Sequence, residues 1–134
     1  MKKLLLLLCA MGFVLSCSSD DDPSYSASNL IGKWILISDF EDGIEYVEDG
    51  DCPEEIIFSE TTYVYKEYFG DNCEDVYESN PRPYSVNGTN LNSDGDSGEI
   101  LELTSKKLII KYIDIEEEGG GTHTSTYVTT YIKG

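Results

Sequence analysis

Twenty-six carboxylates, one histidine and four cysteines carry whatever chemistry this 134-residue chain performs. A hydrolytic triad needs a nucleophile, a base and a group that orients the base. His123 is the sole imidazole, and no serine stands in a Gly-x-Ser-x-Gly or Ser-x-x-Lys setting. Paired carboxylates can cleave glycosidic bonds, but with this many acidic residues some pair falls at a suitable distance by chance, so abundance carries no signal. No catalytic residue is assigned, and the chain reads as a non-enzyme. The stretch Asn90-Leu91-Asn92-Ser93-Asp94-Gly95-Asp96 imitates the oxygen spacing of a calcium loop, yet the twelfth position, where a bidentate Glu belongs, is Leu101. Asn, Asp and Gly dominate turns for local reasons, so a hairpin loop is the better reading. With one His and no Cys-x-x-Cys, zinc ligand spacing is missing as well. Neither metal nor cofactor is expected.

The elements that would position these groups read as strands. Runs rich in Val, Ile, Thr and Tyr cover Lys33–Phe40, Glu54–Ser59, Thr62–Phe69, Cys73–Ser79, Tyr84–Val86, Glu99–Thr104, Lys107–Glu116 and Thr122–Ile132. Short strands broken by Gly, Asn, Asp and Pro at this spacing predict an all-β antiparallel sandwich or barrel with little or no helix. Asn87-Gly88, Asp94-Gly95 and Gly119-Gly120-Gly121 supply turn chemistry for hairpins, so sequential strands should pair. Leu108, Ile110 and Tyr112 alternate with Ile109, Lys111 and Ile113, and Val128, Thr130 and Ile132 with Tyr127, Thr129 and Tyr131. One face is apolar and the other mixed. The ten tyrosines, among them Tyr63, Tyr65, Tyr68, Tyr112, Tyr127 and Tyr131 within strands, suit a half-buried sheet, with an apolar body and a polar tip.

Two lysines, an apolar run from Leu4 to Leu15 and then Ser16-Cys17 make an export signal over residues 1–16, too short for the roughly 20 residues of a spanning helix. Val14-Leu15-Ser16-Cys17 resembles the bacterial lipobox, which implies that Cys17 carries lipid and heads the mature protein. The bland alternative is a soluble secreted protein with a chance cysteine. At about 0.8 kcal/mol per buried CH₂, two or more acyl chains anchor stably. The following Ser18-Ser19-Asp20-Asp21-Asp22 resembles the export signal of Bacteroidetes surface lipoproteins, implying an outer-membrane, lipid-anchored, surface location rather than a periplasmic one. Residues 17–29 then form a polar, acidic tether, and the folded domain spans 30–134.

With Cys9 removed and Cys17 lipidated, Cys52 and Cys73 remain in an oxidising compartment and should pair. A loop of about 20 residues closed this way contributes on the order of 3 kcal/mol. Loss of Lys2 and Lys3 with the signal takes the net charge to −17 − 2 = −19. Such a surface repels nucleic acid and anionic lipid headgroups; its simplest role is solubility. One monomeric domain is expected.

Leu30-Ile31-Gly32-Lys33-Trp34, with Gly-x-Trp opening the first strand, is similar to the first motif of lipocalins. With the lipobox, the acidic leash, the cysteine pair and a Tyr-Ile-Lys ending, the chain looks like the lipocalin-like lipoproteins of Bacteroidetes. The resemblance implies a single up-and-down barrel of about eight strands, with Gly32 and Trp34 at its closed floor. It implies a cavity lined by Trp34, Leu36, Tyr65 and Tyr112 for a small apolar or amphipathic ligand. Thr-Asp-Tyr, a late arginine over the tryptophan and a terminal helix are absent, Arg82 being the only arginine. A filled barrel that contacts a protein or glycan partner is the alternative, and interior volume separates the two.

Overall fold

The computed structural model describes residues 23–46 and 52–134; the signal, Cys17 and the first part of the tether lie outside the described residues. One short helix, α1 (Ala27–Leu30), precedes ten strands: β1 (Gly32–Glu41), β2 (Ile44–Glu45), β3 (Glu54–Phe58), β4 (Thr62–Phe69), β5 (Asp75–Glu78), β6 (Arg82–Asn87), β7 (Asn90–Ser93), β8 (Asp96–Leu103), β9 (Lys107–Glu118) and β10 (Gly121–Lys133). Every pairing is antiparallel, and the order β1-β3-β4-β6-β7-β8-β9-β10 closes on itself through β10 against β1. This is an eight-stranded up-and-down barrel; β2 and β5 are short flaps paired outside the ring with β1 and β4.

The staves match the expected number but not the expected identities. The Cys73–Ser79 run forms β5, which pairs with β4 alone and leaves the ring. Its place is taken by β7, drawn from the Asn90–Asp96 stretch read as a hairpin loop. Asn90 to Ser93 are polar apart from Leu91, yet they close the wall between β6 and β8. The turn itself is only Asp94-Gly95, with φ of 41° and 97°, the paired positive angles of a type I′ hairpin. β9 also runs two residues past the expected end at Glu116, because β9 and β10 stay paired out to Glu118–Gly121.

The apolar core fills one end of the barrel. Leu30, Trp34, Ile56, Phe58, Tyr84, Leu91, Ile100, Leu108 and Ile110 form one buried cluster. Trp34 is fully buried, and its indole Nε1 donates to the Leu30 carbonyl at 2.7 Å, which satisfies the one polar atom the ring brings inside. Lys133 Nζ stands 4.2 Å from the Trp34 ring and donates to the Ile31 carbonyl at 2.6 Å. A lysine thus lies over the tryptophan where the sequence offered no arginine. Structure also reaches back before the expected Leu30 boundary: the Tyr25 amide donates to the Gly88 carbonyl at 2.9 Å, and Tyr25 and Ala27 pack on the core.

Candidate functional site

The other end of the barrel is open, and a one-residue irregularity decides what lines it. In β1, Trp34 and Leu36 stand opposite Lys133 and Tyr131, but the register then slips, so that Asp39 meets Thr129 and Glu41 meets Tyr127. A bulge places two residues against one and reverses the alternation beyond it. Straight alternation from Trp34 would have sent Ser38 and Phe40 inward. Asp39 and Glu41 share the inward face instead, while Phe40 pairs outward with Val128.

Asp39, Tyr63, Ser93, Asp96, Tyr112, Asp114, Tyr127 and Thr129, with the β7–β8 turn, enclose a cup of about 550 Å³. Beneath it is a void of about 40 Å³ among Ile56, Phe58, Tyr63, Tyr84, Leu91, Ser93 and Tyr112. Tyr63, Ser93 and Tyr112 border both spaces, so three side chains separate the cup from the packed floor. Tyr112 keeps its place because Gly98 lies beside it: a Cβ on Gly98 would come within 2.7 Å of the ring.

Of the four residues expected to line a cavity, Tyr112 does. Trp34 is sealed in the floor by its bond to Leu30, below the open space. Leu36 stands opposite Tyr131, one register step beyond Trp34 on the inward face, and does not border the cup. Tyr65 does not border it either, because its phenol is turned onto the Glu54 carboxylate. Reading the residues by type missed Asp39 and Asp114 and weighed Asp96 only as part of a calcium-like loop; Asp39 faces inward because of the bulge, whereas Asp114 continues the alternation of Leu108, Ile110 and Tyr112 past the apolar run.

The electrostatics of the cup are one-sided. Tyr127 Oη donates to Glu41 at 3.0 Å, and Tyr63 Oη lies 3.1 Å from Ser93 Oγ. Asp39 Oδ1 is buried with no hydrogen-bond partner among the described residues. Burial, and then the charges of Glu54 and Glu41, hold the Asp39 carboxyl above the ordinary carboxylate range. Burial pushes the Tyr112 phenol well above its usual range and raises Tyr131 to about 12, so both stay protonated donors. The four ion pairs among the described residues, Lys33–Glu55, Lys66–Glu78, Lys107–Glu102 and Lys111–Glu99, involve no carboxylate of the cup. No Lys, Arg or His among the described residues lines it.

Two other groups bear on chemistry. Ser125 Oγ lies 3.1 Å from His123 Nε2, but no group among the described residues bonds the other imidazole nitrogen to orient the ring, so the pair lacks the third member of a triad. Cys52 and Cys73 form a disulfide, Cα atoms 5.4 Å apart, that ties the chain entering β3 to the turn after β4 on the open side of the barrel. No three acidic, His or Cys side chains among the described residues come together as a metal-ligating group.

The fold and the cup together define a closed eight-stranded antiparallel barrel, packed at one end and open at the other. No family model matches the chain, and no curated protein or solved structure is similar to it at a significant level.

Proposed function

We propose that this chain is a lipid-anchored outer-membrane protein, exposed at the cell surface, whose lipocalin-like barrel binds a small amphipathic molecule in its open end. The observation that supports it is the division of the interior into a packed floor and a cup of about 550 Å³, within the roughly 300–1,000 Å³ of small-molecule sites. A barrel serving only as scaffold has no need of the open half. The role is binding rather than catalysis, since the cup brings carboxylates and phenols together without an oriented nucleophile and base.

The alternative, contact with a protein or glycan partner, draws on a different feature. Residues 113–126 of β9 and β10 continue past the β8 and β1 pairings as a two-stranded ribbon, with Ile113 and Ile115 54% and 63% exposed. Native mass spectrometry of the full chain purified from its host tests the first reading. A bound small molecule lost on denaturation is the expected result; an empty barrel retained by a protein or glycan would favour the second.

A further inference from the structure

We propose that the ligand of the cup is an organic cation, an ammonium group carried on an aromatic or short apolar body. The inference rests on the carrier reading above and narrows its ligand class.

Three features of the cup converge on that chemistry. The walls are aromatic: Tyr63, Tyr112 and Tyr127 border the space, and tyrosine faces attract cations through the ring quadrupole. The charge is negative and uncompensated: Asp39, Asp96 and Asp114 line the cup, no basic side chain among the described residues does, and the described lysines that form ion pairs form them with glutamates outside it. One of these acids, Asp39, borders the open space across from Thr129, where its carboxylate can pair with the ammonium of the ligand. An anionic ligand meets no positive group here, and a neutral apolar one leaves the carboxylates of the cup without a countercharge.

The shape separates an organic cation from a metal ion. The carboxylates are spread around the tyrosine walls and do not gather three to a point. A volume of about 550 Å³ suits a molecule of drug-like size, far larger than a bare ion. Below it, Tyr63 and Tyr112 close the cup against the packed floor of Ile56, Phe58 and Leu91, so their rings form an apolar base for the body of the ligand.

The test is calorimetric titration of the full chain with three probes that share one aromatic body: 2-naphthylethylamine, 2-naphthylethanol and 2-naphthylacetate. The amine is expected to bind at one equivalent, about tenfold or more tighter than the alcohol, with the acetate undetected. Asp39→Asn is expected to erase most of the gap between amine and alcohol. Asp114→Asn, an exposed rim position where folding is not at stake, is expected to narrow it. A preference for the amine that survives both substitutions would come from the general negative charge of the molecule, and would overturn the assignment. Equal binding of amine and alcohol would overturn it too while leaving the carrier reading standing. Binding of none of the three would count against both.

Discussion

At the scale of single residues, the floor and the cup differ in how far their polar atoms are satisfied. Trp34 is a buried aromatic with its N–H bonded to Leu30 and a cation over its face. Trp34→Phe keeps an aromatic ring but removes the N–H and part of the indole, leaving the Leu30 carbonyl without its donor and a cavity beside the ring, and is expected to cost about 3 kcal/mol in urea denaturation. Lys133→Met, which removes the cation, is expected to cost about 1 kcal/mol. Asp39 is the opposite case. Its carboxyl is held above the reference value of 3.8 by burial, by Glu54 on β3 and by Glu41 on its own strand, against a stabilising bond from the Phe40 backbone; Thr129 faces it from β10. The folded state therefore binds more protons than the unfolded one between 3.8 and the raised value, so stability falls as pH rises through that window. Asp39→Asn is expected to flatten that slope and to stabilise the protein at neutral pH, as measured by urea midpoints from about pH 4 to about pH 8. The tryptophan was legible in the sequence because Gly32-Lys33-Trp34 is a local motif. Lys133 was not, because its partner lies 99 positions away (133 − 34) and only closure of β10 on β1 unites them.

At the scale of elements, period-two reasoning located most strands and failed where a strand departs from its period. The bulge between Leu36 and Ser38 exchanges the faces of β1, so the apolar Phe40 goes out and the acids go in. Phe40→Ser tests this: as an outer cross-strand partner of Val128 it should cost about 1 kcal/mol or less, whereas loss of an inward core Phe costs about 3–5 kcal/mol. A value in the higher range would return Phe40 to the core and Asp39 to solvent. Similar reasoning explains β5 and β7. The apolar content of Asp75–Glu78 suggested a stave, and the polar Asn90–Ser93 a loop; ring closure selected the second because it lies between two strands that each need a neighbour. The disulfide, expected once two cysteines remained in an exported chain, secures the open side, where β5 is held by β4 alone. Cys52→Ser with Cys73→Ser is expected to lower stability by about 3 kcal/mol, given a separation of 21 residues, without closing the cup.

At the scale of the whole molecule, the chain end and the cup lie at opposite poles, which has a consequence for the proposed anchor. The first described contacts of the chain, Tyr25 with the Gly88 turn and Leu30 beneath Trp34, are all made at the packed floor. The cup opens at the other end, beside the Asp94-Gly95 turn. A lipid on Cys17 would therefore hold the barrel floor toward the membrane, with the mouth and its acids directed away from the anionic surface that repels them. Nothing in the barrel depends on the anchor: the core cluster is complete from Leu30 onward, and Tyr25 is tied to Gly88 by its backbone. Cys17→Ala is accordingly expected to release the protein from the membrane fraction with its thermal midpoint unchanged, read by fractionation and by melting of the released protein. In intact cells carrying the unaltered chain, a protease site inserted at Gly120, in the turn at the tip of the β9–β10 ribbon, should be cut from outside. One inserted between Asn87 and Gly88, on the anchor side, should be cut far more slowly. Equal cutting of the two would mean that the mouth is not held outward, and a Cys17→Ala protein that stays with the membrane would remove the lipid anchor from the account altogether.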